Sequence, residues 1–383
     1  MSVTAAKGFT ASGIAAGIKE NGNPDLALVV NNGPKLAAAG VFTSNRVKAA
    51  PVLWSEQVLK GGLVSAVVLN SGGANACTGP KGFQDTHATA EKVAEVLGQN
   101  AGEVAVASTG LIGLLLPMDK LLPGVEQAAA QLSEHGGEKA AIAIKTTDSI
   151  HKTSVVTGAG WTVGGMAKGA GMLAPGLATM LVVLTTDADV ESDVLDRALR
   201  AATRTTFDRV DSDGCMSTND TVLLLASGAS QVTPDEAEFA EAVRKVCDDL
   251  GQQLIRDAEG ASKDIKVEVV NAASEDDAVE VGRSIARNNL LKCAIHGEDP
   301  NWGRVLSAIG TTRAAFEPDQ LNVAINGVWV CKNGGVGEDR DKVDMRYREV
   351  HIVADLAAGT ETATIWTNDL TADYVHENSA YSS

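Results

Sequence analysis

The stretch KGAGMLAPGLATMLVVLTTDA, residues 168–188, decides how the middle of the chain is organised. A glycine-rich segment and Pro175 come directly before a run of apolar residues, and Thr179 stands at the junction. The run MLVVLTT (180–186) is too short for an ordinary helix and is rich in β-forming residues, which predicts a buried strand. A flexible loop is therefore expected to become a rigid strand at Thr179.

Strands and helices are predicted on both sides of this junction. Seven further apolar runs predict strands, at 26–30, 63–70, 103–109, 266–270, 321–325, 348–356 and 362–366. The pattern of residues 84–98 predicts a helix between two of them. This alternation is typical of an α/β or α+β layered fold, and a length of 383 residues favours two subdomains.

The second half of the chain contains two clearer helices. In the first, Thr233 is predicted to be the N-cap, Glu236 to close a capping box, and the helix to end near Gly260. The second is predicted at about 274–289. After its final strand the chain is predicted to end in a short polar tail.

Composition excludes several classes of function. A formal charge of −17 argues against binding to a nucleic-acid backbone, which requires a concentrated positive surface. No stretch approaches the roughly 18 uninterrupted apolar residues of a membrane-spanning helix. The first residues lack the apolar core of a signal peptide. We therefore expect no nucleic acid and no membrane as partners, and the cytoplasm as the default location.

Cysteines and histidines give no metal-site pattern. The five cysteines are widely spaced and form no CxxC pair, which is typical of reduced cysteines that pack in a fold. No two of the six histidines are four residues apart on a helix, as a zinc site of the HExxH type needs. We predict no metal ion.

Two motifs superficially resemble ligand loops. GAGWTVG (158–164) has the wrong glycine spacing for a dinucleotide loop, and another glycine loop follows it instead of a helix. DSDGCMSTND (211–220) has its glycine at the fourth position, whereas a calcium loop needs it at the sixth. A turn that caps its own backbone is the better interpretation of the second motif.

The motif STGLIG (108–113) follows a predicted strand. Its backbone N–H groups at Thr109 and Gly110 are expected to be accessible, and such amides can polarise a carbonyl as an oxyanion hole. An ordinary turn is the alternative interpretation.

Thr179 is the candidate nucleophile. A buried threonine needs a base to take its proton, and no Ser-His-Asp spacing supplies one. Cleavage of the bond between Ala178 and Thr179 would free an α-amine, with an ordinary pKa of about 8, beside the hydroxyl. The alternative is that Thr179 merely occupies a position that favours β structure.

Several segments together resemble one known family. They are NSGGANACTG, STGLIG, TTD (146–148), KGAGMLAPGLATML, STNDT, RDAEGASK, GEDPNWGR and the terminal NSAYSS. In this order, over residues 70–383, they resemble the ArgJ family, the bifunctional ornithine acetyltransferases and N-acetylglutamate synthases of arginine biosynthesis. Cys215, Met216 and Glu377 are less usual for that family.

The resemblance implies a role for each matching residue. Thr179 matches the nucleophile exposed by self-cleavage after Ala178, and Thr109 with Gly110 matches the pair that stabilises the oxyanion. The substrate-binding set is matched by Thr147, Lys168, Thr179, Glu259, Asn378 and Ser383. The resemblance also implies an ArgJ/DmpA-like α/β layered fold with an N-terminal-nucleophile type of active site. Two α chains (1–178) and two β chains (179–383) would form a heterotetramer.

The implied reaction moves an acetyl group between two amino acids. Ornithine leaves N2-acetyl-L-ornithine, the acetyl group stays on Thr179 as an ester, and L-glutamate accepts it. Lys168 suits an α-carboxylate and Glu259 a cationic amine. No cofactor is required, although some members of the family also use acetyl-CoA as a co-substrate. Two alternatives stay open, an N-terminal-nucleophile amidohydrolase or aminopeptidase and a non-catalytic amino-acid-binding protein.

Overall fold

The computed structural model describes residues 2–174 and 180–380. The described chain divides into two units. The first extends to Asp208 and resumes over Cys215–Asp257. The second comprises Arg209–Gly214 and the chain from Ala258 onward. None of the described helices is both long enough and apolar enough to cross a membrane.

The first unit contains two mixed sheets. Its strands are β1 (Phe9–Ile14), β2 (Leu26–Asn31), β3 (Ala37–Phe42), β4 (Ala66–Asn70), β5 (Val104–Ser108), β6 (Lys152–Thr157), β7 (Thr162–Lys168), β8 (Leu181–Thr186) and β9 (Thr221–Ala226). One sheet has the order β1-β2-β4-β5, and the other has the order β3-β9-β8-β7-β6. Only the pairs β4–β5 and β8–β9 are parallel among the described strands of this unit.

Six helices of the described chain pack around and between these two sheets. They are α1 (Ala50–Val58), α2 (Gly79–Leu97), α3 (Met118–Ala130), α4 (Gly137–Ala143), α5 (Ser192–Thr205) and α6 (Glu236–Arg256). Helices α2 and α3 pack on the first sheet, while α5 and α6 pack on the second. The inner faces of both sheets share one apolar core, so the unit is layered as helices, sheet, sheet and helices.

The register of the second sheet brings three chain segments together. Lys168, the last residue of β7, pairs with Leu181 at the start of β8. Leu181 in turn pairs with Thr221 at the start of β9. The entrance of β8 therefore lies between the end of one strand and the beginning of another.

The second unit is one six-stranded sheet with helices. Its strands are β10 (Asp264–Ala272), β11 (Asn322–Ile325), β12 (Val328–Lys332), β13 (Gly335–Val336), β14 (Glu349–Asp355) and β15 (Glu361–Asn368), and its helices are α7 (Glu275–Ala286), α8 (Asn289–His296), α9 (Trp302–Ile309) and α10 (Ala372–Ala380). The strand order is β13-β12-β11-β14-β10-β15. Helices α7 and α9 pack against this sheet over a separate apolar core.

The mixed α/β class is confirmed, and all eight predicted strands are present. Three details of the sequence prediction are wrong. The N-cap of α6 is Asp235 rather than Thr233, because the Asp235 carboxylate accepts from the N–H groups of Ala237 and Glu238. The helix predicted at about 274–289 ends at Ala286, and Asn288 caps a further helix that was not predicted. The polar tail folds into α10, as described below.

The expected chain boundary does not coincide with the boundary between the units. Cleavage after Ala178 would separate β7 from β8, which are neighbours in one sheet and pair over six positions. The bond itself lies outside the described residues. The chains 1–178 and 179–383 stay a prediction, and their shared sheet would hold them together after cleavage.

Candidate active site

The predicted site residues fall into three sets. The first unit contains Thr109, Gly110, Thr147 and Lys168. The second contains Glu259 and Asn378. Ala178, Thr179 and Ser383 lie outside the described residues.

Thr109 follows β5 and is buried. Its N–H donates to the carbonyl of Asn70 at 3.0 Å, because the parallel pairing of β4 with β5 continues one residue beyond Ser108. The expectation of an accessible N–H at Thr109 is therefore wrong. What Thr109 can offer a bound carbonyl is its hydroxyl group, since the backbone donor is already used.

Gly110 has a backbone conformation that requires glycine. Its φ is +129°, and a Cβ at this position would lie 2.7 Å from the nitrogen of Gly73. Among the described residues, no acceptor is bonded to the Gly110 N–H. This N–H is therefore a candidate donor to an oxyanion.

Lys168 and Thr109 are brought together although 59 residues separate them. Lys168 is 2% exposed, and its Nζ donates to Thr109 Oγ1 at 3.4 Å. A buried ammonium interacts strongly with negative charge because little water screens it. The pair therefore suits a site where negative charge develops on an oxygen atom.

Asp148 connects the Thr147 turn to the end of β7. Its Oδ1 accepts from the Gly169 N–H at 2.6 Å and from Lys152 Nζ at 2.7 Å, and its Oδ2 accepts from the Thr146 N–H at 3.0 Å. Burial alone would raise the pKa of Asp148, but the charges of Lys168 and Lys152 outweigh it and lower the pKa to about 2. This carboxylate is therefore charged at neutral pH.

Lys152 completes a buried charge network. It is fully buried, and besides Asp148 its Nζ contacts Asp257 Oδ2 at 2.5 Å. Asp257 also accepts from the Ser149 N–H at 3.1 Å. Both sides of the Thr147 turn are thus fixed. Lys152 and Asp257 were not predicted from the sequence.

Lys19 adds a second cation near Lys168. Burial lowers the pKa of Lys19, the charge of Asp25 opposes this, and the charge of Lys168 adds to it. Its Nζ donates to the carbonyls of Pro24 at 3.1 Å and Lys145 at 2.6 Å. The region around Lys168 is therefore more positive than the sequence motif alone indicates.

Met180, the residue that follows Thr179 in the chain, forms hydrogen bonds through both its backbone N–H and its backbone carbonyl. Its N–H donates to Asp220 Oδ1 at 3.0 Å. Its carbonyl accepts from the Thr221 N–H at 3.1 Å. The start of β8 is therefore anchored beside Lys168.

In the second unit, Glu259 and Asn378 are direct partners. Asn378 Nδ2 donates to Glu259 Oε2 at 3.0 Å, and Asn378 lies on α10. Thr371 Oγ1 donates to the carbonyl of Gly260 at 2.6 Å. Gly260 has a φ of +61°, and a Cβ there would lie 2.2 Å from the nitrogen of Tyr374. The expected tail is thus a helix packed on the segment that carries Glu259.

A cavity of about 170 Å³ adjoins Glu259. It is lined by Ser212, Asp213, Glu259, Asn289, Lys292, Asn368, Asp369, Leu370 and Tyr374. Burial lowers the pKa of Lys292, and neighbouring carboxylates oppose this. With three acidic side chains and one lysine, the lining suits a small cationic group.

Ser262, His296 and Asp369 form a cluster that superficially resembles a catalytic triad. Ser262 Oγ lies 3.1 Å from His296 Nδ1, and that same nitrogen lies 2.9 Å from Asp369 Oδ2. In a triad the serine and the aspartate contact opposite ring nitrogens. The cluster therefore lacks the geometry of a serine nucleophile with a histidine base.

Comparison with known proteins now decides the family. The model of the ArgJ family matches residues 10–383. The chain belongs to the ArgJ family. A curated ArgJ relative, "Arginine biosynthesis bifunctional protein ArgJ" from Streptomyces avermitilis, is 93% identical over 383 residues, with 100% of both chains covered. The relative of the same name from Thermobifida fusca is 63% identical, again with 100% of both chains covered.

A solved structure is also similar in sequence. It is ornithine acetyltransferase complexed with ornithine from Mycobacterium tuberculosis, which is 60% identical. The match covers 47% of this chain and 96% of that one, with a TM-score of 0.45. The family match and the curated relatives confirm the prediction of an ArgJ enzyme of arginine biosynthesis.

Proposed function

We propose that this protein transfers the acetyl group of N2-acetyl-L-ornithine to L-glutamate through an acetyl ester on Thr179. In this proposal, cleavage of the bond between Ala178 and Thr179 first frees the α-amine of Thr179. The activity is that of a glutamate N-acetyltransferase. It uses no metal and no cofactor.

The observation that carries the proposal is the cluster at the entrance of β8. Lys168 Nζ contacts Thr109 Oγ1 at 3.4 Å, Gly110 has a φ of +129° that favours glycine, and Lys168 pairs with Leu181, two residues after Thr179. These groups supply a cation, a hydroxyl and an N–H, which are the donors that stabilise an oxyanion. Thr179, the predicted nucleophile, directly precedes Met180 in the sequence, and Met180 is held at the start of β8.

Cleavage and transfer follow the same chemistry. For cleavage, the Thr179 hydroxyl attacks the Ala178 carbonyl, and the bond from that carbonyl to nitrogen breaks. Water hydrolyses the resulting ester and leaves a free Thr179 amine. In the transfer step, this amine takes the hydroxyl proton as the oxygen attacks the acetyl carbonyl. Ornithine leaves as an amine after protonation. The amine of glutamate then attacks the ester, the bond from the acetyl carbon to the Thr179 oxygen breaks, and the hydroxyl group takes back a proton.

In this proposal, groups of opposite charge on the protein bind the charged groups of the substrate. Lys168 provides the cation for an α-carboxylate or for the oxyanion itself. Glu259 and the acidic cavity beside it suit the side-chain amine of ornithine. Thr147, Asn378 and Ser383 complete the binding set that the family resemblance implies.

The fate of the acetyl group tests the proposal against a hydrolase or aminopeptidase. The protein would be incubated with N2-acetylornithine labelled in the acetyl group, with and without glutamate. We expect most of the label in N-acetylglutamate and little free acetate, with ping-pong kinetics. Equal release of labelled acetate in both reactions would show that water is the acceptor. An absence of turnover would favour a binding protein.

Variants of Thr179 test both its role as the nucleophile and the cleavage of the bond between Ala178 and Thr179. Thr179→Ala should leave one uncleaved and inactive chain, because both steps need the hydroxyl. Thr179→Ser should retain part of both. Denaturing electrophoresis measures the extent of chain cleavage. An active Thr179→Ala protein would contradict the proposal.

Acetyl-CoA use, assembly and location form the last part of the proposal. We include acetyl-CoA as a second acetyl donor, which a paired assay with acetyl-CoA and glutamate tests. A heterotetramer of two α and two β chains should be visible by native mass spectrometry. The cytoplasmic location stays a prediction.

A further inference from the structure

Asn219 and Asp220 are two buried polar residues in the STNDT segment. Asp220 is 0% exposed and directly precedes β9. Buried carboxyl groups are costly unless a specific partner is present. The family resemblance gave neither residue a role, although both lie inside a motif that carries it.

Asp220 contacts the residue that follows the proposed nucleophile. Its Oδ1 accepts from the Met180 N–H at 3.0 Å, while the next N–H along the chain, that of Thr221, donates to the Met180 carbonyl. The carbonyl of Asp220 accepts from the Thr43 N–H at 3.0 Å, which anchors it to the segment after β3. Asp220 is thus fixed by the sheet and in turn fixes Met180.

Asn219 contacts the loop that carries Thr109. Its Nδ2 donates to the carbonyls of Ser108 at 2.8 Å and Ala74 at 2.6 Å. Its Oδ1 accepts from Thr218 Oγ1 at 2.7 Å. Both ends of the Asn219 amide are therefore used, and the side chain has one preferred orientation.

We propose that Asn219 and Asp220 act as one positioning clamp, in which Asn219 holds the Thr109 loop while Asp220 holds Met180. Two adjacent residues on one rigid strand start then set the distance between the oxyanion donors and the residue after Thr179. This inference rests on the proposed function, because it concerns the same nucleophile. A misplacement of about 1 Å in such a site can slow a reaction roughly a hundredfold.

Asp220 performs this role as a hydrogen-bond acceptor. Burial raises the pKa of Asp220 well above its usual range, and the Met180 N–H and the charge of Lys168 only partly oppose this. A carboxyl oxygen accepts the hydrogen bond from the Met180 N–H, and the amide oxygen of asparagine can accept it in the same way. Asparagine at this position should therefore preserve the clamp without transferring a proton.

Two substitutions of similar size separate positioning from proton transfer and from packing. Asp220→Asn keeps an acceptor for the Met180 N–H, whereas Asp220→Leu fills the volume without one. The matched control is Asp187→Leu. Asp187 is a buried carboxylate just after the other end of β8, where it accepts from the N–H groups of Thr162 and Lys7.

The measurements are the rate of chain cleavage, kcat and KM, with circular dichroism to verify folding. We expect Asp220→Leu to slow cleavage and lower kcat by at least about tenfold, with KM changed by less than about threefold. Asp220→Asn should stay within about threefold of wild type in cleavage rate and kcat. Asp187→Leu should lower the melting temperature but leave the kcat of the folded protein nearly unchanged.

A folded Asp220→Leu protein with wild-type cleavage and kcat would overturn the clamp. If that variant does not fold, Asp220→Asn decides, because a tenfold or larger loss there would mean that retaining the acceptor is not sufficient. A wild-type protein that neither cleaves nor transfers acetyl groups would refute the proposed function instead. The two failures are therefore distinguishable.

Discussion

The two groups of site residues differ in how deeply they are buried. In the first unit, Lys168 and Asp148 are almost inaccessible and belong to one charge network with Lys152. In the second unit, Glu259 is half-buried and Asn378 is exposed. Buried charges are costly and are tolerated when they are paired, so the first group is rigid. The exposed group can adapt to a ligand. Under the proposed function, we expect the first group to take part in the chemistry and the second group to bind the substrate.

The largest effect should follow removal of the buried cation. We expect Lys168→Met to lower kcat about 10²–10³-fold, as the loss of an oxyanion donor does in other enzymes. Lys19→Met is the control, because Lys19 donates to two backbone carbonyls. Its effect on kcat should be below about tenfold. Steady-state kinetics measures both, and equal losses would show that general positive charge matters rather than the contact with Thr109.

Asp148→Asn should mainly lower stability. It removes one of the two carboxylates that neutralise the buried ammonium group of Lys152. Breaking a buried ion pair costs about 3 kcal/mol. Asp344→Asn is the matched control, since Asp344 pairs with Arg346 at the surface, where water screens the charges and the change should have little effect on stability. Urea unfolding measures both free energies. A loss for Asp148→Asn no larger than that of the control would contradict the network.

Asp148 and Asp211 should contribute to the pH dependence of stability with opposite signs. The lowered pKa of Asp148, about 2, stabilises the folded state above about pH 4, and this contribution is lost as the pH falls toward 2. Burial raises the pKa of Asp211 to about 6 against the charge of Arg287. The folded state therefore binds the Asp211 proton more tightly, and stability falls as the pH rises from about 4 to 6.

The difference between wild type and Asp211→Asn in unfolding free energy should shift by about 2 kcal/mol between pH 4 and pH 7. Asp148→Asn should show its shift only below about pH 4. Urea unfolding of each protein across this range provides the test. Parallel curves for wild type and Asp211→Asn would show that burial does not perturb this carboxyl group.

The smallest effects should come from the exposed group. We expect Glu259→Gln to raise the KM for N2-acetylornithine about tenfold and Asn378→Ala to raise it about threefold, with kcat nearly unchanged. Glu361→Gln, an exposed change on β15, is the control. A fall in kcat larger than the rise in KM would contradict the idea that Glu259 and Asn378 act in substrate binding and not in the chemical steps.

The sequence predicted eight of the described strands because continuous apolar runs are a strong local signal. It missed β1, β3, β6, β9, β12 and β13 as well as β7, whose TVGGMAK pattern has two glycines where apolar side chains are expected. Position 165 requires a glycine, because a Cβ there would lie 2.7 Å from the Leu184 side chain. Helix α10 was missed because none of its residues is buried, so its sequence has no apolar periodicity.

The candidate site was predicted where residues lie in family motifs. Thr109, Gly110 and Lys168 belong to such motifs, and the structure brings them together. The pairing of Lys152 with Asp257 spans 105 residues, and no local pattern indicates which carboxylate a buried lysine will meet. The role of Asp220 was not predicted for the same reason, since its partner is the backbone N–H of Met180, which is distant in the sequence.

The most direct test of the account is the intact mass of the denatured protein after exposure to N2-acetylornithine without glutamate. We predict two chains, residues 1–178 and 179–383, with one acetyl group on the second chain alone. Addition of glutamate should remove that group. A single active chain of 39.5 kDa, or two chains without an acetyl adduct on the second, would contradict the central claim.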